Sequence, residues 1–271
     1  HCVTRRQRQM CIRDRTMAHP KEIYDLLLEY SNTNTPIKEI LIGLTWTLCE
    51  TEGIGLCMSP GTVTRTLPWS GTLVNKPVKE LASWLRSWNI FEATVGMAAI
   101  NAEINGRFPQ GHETLLPTQI EPLSPYGPGN LAVFEYFLPM IRGKKVFIIG
   151  RYPKLSRYEN EMEMTVIERQ PGGDDLPDTA SEYLLPEAEW VFLTATSIAN
   201  KTFPRLVELA KKSQLVLMGP TMPWLTELKE FGIDYLAGVT VSNAEALRQT
   251  VAEGGGVRIF ETGVQYQVLK L

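Results

Sequence analysis

Residues 189–240 repeat one arrangement, in which an apolar run ends in a loop rich in glycine, threonine, proline or asparagine and a helix-length segment follows. The runs lie at 191–193, 215–218 and 235–237. Buried parallel strands are typically continuous apolar runs, and their alternation with helices indicates a doubly wound sheet. We therefore predict an α/β fold whose ligand site lies beyond the carboxyl ends of the strands.

The composition excludes several classes of protein. With 44% apolar and 21% charged residues, the chain has the balance of an ordinary globular protein. No apolar run approaches the ~20 residues that a membrane-spanning helix needs, and a net charge of −3 gives no general attraction to nucleic acid. We expect neither a membrane nor a nucleic-acid partner. A homo-oligomer is an open alternative.

The first sixteen residues differ from the rest of the chain, because they contain five arginines and one acid. A basic nucleic-acid arm and a targeting peptide are two interpretations, although the segment lacks the apolar stretch of a secretory signal. The run QRQMCIRDR also resembles translated sequencing-adapter read-through, so we expect 1–16 to be an artefactual head and Met17 to be the start. Only Cys49 and Cys57 then remain, which favours a reduced, cytoplasmic protein.

The segment 17–106 is predicted to form an α+β domain. Its patterns predict helices over 20–30, 79–88 and 91–103, a strand over 40–48, and a hairpin turn at 50–53 that leads into a strand over 54–58. Cys49 and Cys57 flank this turn and could face each other across the hairpin. Small residues on the last helix permit close packing: Gly96, Ala98, Ala99 and Ala102.

A proline-rich linker over 107–130 is predicted to separate this domain from a second one over 131–271. The second domain begins with a helix over 131–141 and continues with strands at 146–150, 164–168, 190–193, 215–218 and 235–237. Ser242 and Glu245 have the spacing of a capping box, and Gly232 and Gly254 are placed to end helices.

The loop after the first of these strands contains one glycine, Gly150, where a dinucleotide fingerprint requires three. A conventional NAD site is therefore doubtful. Glu168 nevertheless ends the next strand 18 residues later, near the spacing at which an acid hydrogen-bonds a ribose hydroxyl. The alternative is a solvated carboxylate before a turn.

Two further loops contain candidate ligand-binding residues. The loop after 190–193 precedes a helix whose N-terminus favours anions, although Asn200 or Thr202 could instead cap that helix. In the loop after 215–218, Thr221 could either cap the next helix or contact a ligand. The candidates in these two loops are Thr194, Thr196, Asn200 and Thr202, followed by Gly219, Pro220 and Thr221.

Metal and catalytic motifs are not evident in the sequence. The chain has no CxxC, HxH or HExxH spacing, and His19 and His112 are isolated. No Ser-His-Asp or Cys-His arrangement can be identified, and buried, unreactive thiols are the more common state for cysteines such as Cys49 and Cys57. The lack of an obvious general base favours binding over catalysis, but it leaves an enzymatic role open.

Three stretches resemble the putative heavy-metal chelation family of bacterial and archaeal proteins: 92–102, 194–202, and 219–223 continuing to 231–238. The resemblance implies an enolase-N-terminus-like domain joined to a Rossmann-like domain, with a site in the cleft between them. The matching positions are Asn101, Thr196, Asn200, Thr202, Gly219, Pro220 and Thr221.

We therefore expect a cytoplasmic protein of this family that binds a metal-bearing or anionic small molecule in the interdomain cleft. Oxygen ligands could hold a divalent, hard cation, and the protein could also bind a metal already held by a small chelator. Two alternatives remain. One is a nucleotide-dependent or S-adenosylmethionine-dependent enzyme with Glu168 on a ribose, and the other is a non-catalytic sensor or carrier.

Overall fold

The computed structural model describes residues 18–107, 121–123 and 127–271; the expected head at 1–16 and most of the predicted linker lie outside these ranges. The protein is a mixed α/β fold with a small antiparallel sheet and a larger, mostly parallel sheet. In the small sheet the strand order is β1-β2-β3. The elements around it are α1 (Ile23–Tyr30), β1 (Glu39–Ile42), β2 (Trp46–Glu50), β3 (Ile54–Met58), α2 (Val78–Ala82) and α3 (Ile90–Gly106).

The predicted strand over 40–48 is wrong, because two strands occupy this segment. β1 turns back at Gly43 and pairs with β2 in antiparallel register, with Ile40 opposite Cys49. Alternating apolar residues continue through the turn, so periodicity alone could not find it. A side chain at Gly43 would overlap the carbonyl oxygen of Val251. The predicted hairpin of β2 and β3 is confirmed, with Glu50 opposite Ile54.

The backbone of helix α3 packs directly against the backbone of β3. A Cβ atom at Gly55 would overlap the backbone of Ala98 and Ala102, and one at Gly96 would lie 2.5 Å from the amide nitrogen of Leu85. The predicted close packing by small residues is therefore confirmed. The predicted helix over 79–88 is only partly confirmed, since α2 passes into a 3-10 turn that ends at Arg86.

Eight strands in the described ranges form the large sheet, in the order β4-β11-β10-β9-β8-β5-β6-β7. The six strands from β5 to β10 run parallel, whereas β11 is antiparallel to β10 and β4 is antiparallel to β11. The strands are β4 (Glu121–Pro122), β5 (Lys145–Ile149), β6 (Glu163–Glu168), β7 (Leu176–Pro177), β8 (Trp190–Thr194), β9 (Gln214–Met218), β10 (Tyr235–Val241) and β11 (Val264–Lys270).

The helices of this second region are mostly short. They are α4 (Ala132–Ile141), α5 (Ser181–Leu184), α6 (Thr196–Ala199), α7 (Phe203–Leu209), α8 (Ala244–Ala252) and α9 (Ile259–Thr262). Strands β4, β7 and β11 were not predicted, and β4 places part of the expected linker in the sheet. The capping box is wrong in detail, because Asn243 rather than Ser242 caps α8. None of the helices in the described ranges is long and apolar enough to cross a bilayer.

Strands β2 and β3 of the small sheet are buried on both faces, whereas β1 is only partly buried. Cys49 and Cys57 belong to the core cluster that includes α3. Trp46 and Leu48 point the other way, into the cluster that contains Val251 of α8. Arg248 of α8 also forms ion pairs with Glu39 and Glu50, which lie opposite each other at one end of β1 and β2. The two regions of the chain therefore share their hydrophobic cores.

Candidate functional site

The large sheet reverses its winding at β5. From β5 the chain adds β6 and β7 on one side, and it then returns to place β8, β9 and β10 on the other. The loops after β5 and β8 therefore diverge. Open α/β sheets bind their ligands in the crevice between two such loops. Gly150 and Thr194 meet here: Gly150 has φ +99°, and a Cβ atom on it would lie 3.2 Å from the Thr194 methyl group.

A short chain of polar contacts continues from Thr194. Its hydroxyl donates to Thr196 Oγ1 at 3.2 Å, and Thr196 Oγ1 lies 3.9 Å from the sulfur of Met58, at the end of the hairpin. Met58 is 43% exposed and borders solvent. The predicted residue Thr196 thus lies beside Met58 of the small sheet, a methionine that no sequence motif indicated.

Gly219 and Tyr152 complete this group. Gly219 follows β9 with φ +107°, and the nearest atom to a Cβ placed on it would be the Tyr152 hydroxyl at 3.7 Å. Burial raises the pKa of Tyr152, and a hydrogen bond with Thr194 partly offsets that effect. Tyr152 therefore stays protonated. We call the following six residues the switch-point crevice: Met58, Gly150, Tyr152, Thr194, Thr196 and Gly219.

The structure places Thr221 and Asn101 in an internal contact. The Thr221 hydroxyl accepts a hydrogen bond from the Met58 backbone N–H at 3.0 Å, and its carbonyl oxygen accepts one from the Asn101 amide at 2.9 Å. Thr221 is 2% exposed. It does not cap the following 3-10 turn, whose N-cap residue is Leu225. Pro220, beside it, is also buried.

Asn200 and Thr202 bond to each other. Asn200 Oδ1 accepts from both the backbone N–H and the hydroxyl of Thr202, at 3.1 and 2.7 Å. The alternative role of these residues as caps of α7 is not observed, because the N-cap residue Thr202 makes no side-chain cap bond and Asn200 closes a turn. Between them, Lys201 lies over the ring of Tyr24 on α1. Of the four candidate residues at the end of β8 and in the loop after it, Thr194 and Thr196 therefore belong to the crevice, whereas Asn200 and Thr202 bond to each other.

Glu168 binds backbone amides at the edge of the crevice. One carboxylate oxygen accepts from Arg151 N at 2.9 Å, and the other accepts from Arg169 N at 2.7 Å. These bonds hold the loop after β5 against the end of β6. The Arg151 guanidinium binds the buried Asp175 carboxylate and lowers its pKa. Contact between Glu168 and a ribose remains a prediction.

The cysteines do not resemble metal ligands. Cys49 lies opposite Gly55 and Cys57 opposite Thr47, so the two thiols are not cross-strand partners as the sequence suggested. Burial raises the pKa of Cys57 to about 12. Hydrogen bonds with Thr221 and Thr94 lower this pKa, but by less than burial raises it. Within the described residues, no three His, Cys, Asp or Glu side chains are grouped to hold a metal ion. These residues do not fit a bare heavy-metal ion.

Two family models match the chain, and both are described as Putative heavy-metal chelation. The DUF364 model matches residues 132–270, and the DUF4213 model matches residues 24–104. An uncharacterized protein of Methanocaldococcus jannaschii is 28% identical over 180 residues, or 64% of this chain. That match spans 63% of the relative's length, which is less than two thirds.

Solved structures of the same family share the fold. A DUF364 protein of unknown function from Desulfitobacterium hafniense superposes with a TM-score of 0.77 at 29% identity, over 92% of this chain and 97% of that one. Another, from Pyrococcus horikoshii, superposes with a TM-score of 0.74 at 24% identity, over 94% and 100% of the two chains. At the latter identity, the likeness concerns the fold alone.

Proposed function

We propose, since this chain belongs to the DUF364 family described as Putative heavy-metal chelation, that it binds a small anionic molecule or metal chelate in the switch-point crevice. The observation that carries the proposal is the contact between Gly150 and Thr194, at the point where the sheet reverses its winding. Ligands of open α/β sheets bind at this point.

The crevice offers hydrogen-bond donors to a negatively charged ligand. The hydroxyls of Thr194 and Thr196 can reorient towards an oxygen acceptor, because each is a rotatable donor. Gly150 and Gly219 have positive φ values and no side chain, so a ligand can approach the backbone closely there. Hydrogen bonds to charged groups are stronger than those between neutral groups.

We propose that any metal arrives already bound to a small chelator. The two described cysteines are buried and protonated, and thiolates rather than thiols bind soft metals. A chelate brings its own donor atoms, so the protein would recognise its outer oxygens. We propose binding without catalysis, because the six crevice residues include no carboxylate, imidazole or thiol that could serve as a general base.

Two broader assignments belong to the same proposal. We place the domain boundary between 17–106 and 131–271, with ligand-contacting residues from both sides, namely Met58 and Thr196. We also propose a cytoplasmic location, which the free thiols of Cys49 and Cys57 support.

Isothermal titration of the full chain with ferric citrate, an anionic chelate, tests the proposal. The double variant Thr194→Val, Thr196→Val keeps the side-chain shape and removes both hydroxyls, so affinity should fall about 10-fold or more. Thr226→Val is the matched control, since the Thr226 hydroxyl contacts Glu227 instead. Equal affinity in all three proteins, or no binding by the wild type, would contradict the proposal.

A further inference from the structure

A cavity of about 350 Å³ lies where β10 ends and β11 begins, at the same end of the large sheet as the switch-point crevice. Ser242 was expected only to cap a helix, no lining residue was a candidate for ligand binding, and none belongs to the switch-point crevice. Its volume is within the range of small-molecule sites in proteins. The lining residues are Leu123, Gly129, Ala132, Ser242, Phe260, Val264, Gln265 and Tyr266.

The lining has the chemistry of a site for a flat, uncharged group. None of the residues that line it is charged, and placing an unpaired charge against such a surface is costly. Phe260 and Tyr266 form an aromatic wall, with ring centroids 4.9 Å apart and planes 18° from parallel. Ser242 and Gln265 are exposed and supply polar groups at the rim.

Close contacts hold Phe260 and the segment before α4 in place. Gly129 packs against Phe260 so closely that a Cβ atom would lie 2.9 Å from the Phe260 Cβ. The neighbouring Asn130 is 5% exposed and donates to the Pro153 carbonyl oxygen at 3.0 Å. The cavity is therefore preformed, which lowers the entropic cost of binding.

Tyr266 provides a second observation. Its side chain is 2% exposed, and its hydroxyl has no hydrogen-bond partner in the described part of the chain. Burial keeps this phenol protonated by raising its pKa. Buried hydroxyls are normally hydrogen-bonded, so an unpaired one at a cavity calls for an acceptor.

We propose that this cavity is a second ligand site, which takes an uncharged, planar heteroaromatic group with a ring nitrogen. The group packs on the partly exposed ring of Phe260, its ring nitrogen accepts from the Tyr266 hydroxyl, and its outer edge meets Ser242 and Gln265. The site shares no residue with the switch-point crevice, although Tyr266 lies close enough to Tyr152 of the crevice to interact with it electrostatically.

Saturation-transfer difference NMR on the full chain tests this proposal with two neutral probes, adenine and benzimidazole. Each is used at about 1 mM, a concentration at which weak binding is still detected. Ser242→Phe places a large side chain in the mouth of the cavity and should abolish both signals. Glu245→Phe is the matched control, since Glu245 is exposed on the first turn of α8, and it should keep both signals.

A second variant covers the case in which Ser242→Phe does not fold. Tyr266→Phe keeps the ring and removes the hydroxyl, so the dissociation constant of adenine should rise about 5-fold or more. Failure of both probes to bind the wild type would overturn the proposal. Signals that persist in a folded Ser242→Phe variant would also overturn it, as would an unchanged dissociation constant in Tyr266→Phe.

Discussion

The side-chain amide of Asn101 donates to the carbonyl oxygen of Thr221 at 2.9 Å, and the same nitrogen donates to Leu56 O at 2.9 Å. One buried side chain thus joins α3, β3 and the loop after β9. Because Thr221 in turn accepts from the Met58 N–H, this contact sets where Met58 lies beside the crevice. Asn101 acts on the crevice through Thr221 and Met58.

Replacing Asn101 should lower stability more than replacing its neighbour one turn later. Asn101→Leu leaves two buried carbonyl oxygens unpaired, and the expected loss in the free energy of unfolding is about 3 kcal/mol. Asn105→Leu removes a single bond, to Ile54 O at 2.8 Å, and should cost about 1 kcal/mol. Urea denaturation of both variants measures the difference. Equal losses would argue against the linking role of Asn101.

Gly55 should not tolerate a methyl group. Its Cβ would overlap the backbone of α3 at Ala98 and Ala102, and a helix backbone cannot yield as a side chain does. We expect Gly55→Ala to lower the free energy of unfolding by about 3 kcal/mol or to prevent folding. Gly61→Ala is the control, since the nearest atom to its Cβ would be 3.9 Å away on Gln170. A stable, well-folded Gly55→Ala protein would refute the close packing.

The ion pair of Arg151 and Asp175 should stabilise the fold in a pH-dependent way. Arg151 lowers the pKa of Asp175 in the folded state, so the benefit is present above the unfolded pKa of about 3.9. It is lost as the pH falls through the folded pKa. Asp175→Asn should therefore be less stable than the wild type at pH 7, and the gap should begin to narrow as the pH falls below about 4.

Thermal melts between pH 3 and pH 7 measure this gap. Glu182→Gln is the control, because Glu182 pairs with Arg205 where both side chains are about half exposed and solvent screens the charges. Its melting temperature should stay close to that of the wild type at each pH. A gap for Asp175→Asn that is independent of pH would contradict the electrostatic explanation.

Cys49 and Cys57 should resist alkylation in the folded protein. Both are 0% exposed, and burial raises the pKa of Cys57 to about 12, so almost no thiolate exists at pH 8. Peptide-resolved mass spectrometry after iodoacetamide treatment should find both thiols unmodified. Denaturation in urea should make both react fully. Rapid labelling of Cys57 in the native protein would reopen a role for this thiol in metal binding.

Continuous apolar runs were sufficient to predict β5, β6, β8, β9 and β10, and therefore the edge at which the crevice lies. Strand β11 was missed although Val264, Tyr266 and Val268 alternate with polar residues. That alternation was the available signal. Strand β4, by contrast, has only two residues, and no local sequence pattern predicts its pairing with the distant strand β11.

The candidate site was only partly predictable, because hydroxyls and amides have several uses. Thr194 and Thr196 reach the crevice, whereas the similar pair Asn200 and Thr202 closes a turn. Thr221 lies 163 residues from its partner Met58, and local spacing contains no information about such a contact. Tyr152 could have been suggested by its place two residues after Gly150.

Native mass spectrometry with elemental analysis of the purified full chain tests the central claim most directly. The wild type and Thr226→Val should carry a bound anionic molecule or metal chelate, either as purified or after incubation with ferric citrate. The double variant Thr194→Val, Thr196→Val should lose it. Equal retention by the double variant, or a wild type that binds nothing after incubation, would contradict the assignment of the switch-point crevice as the binding site.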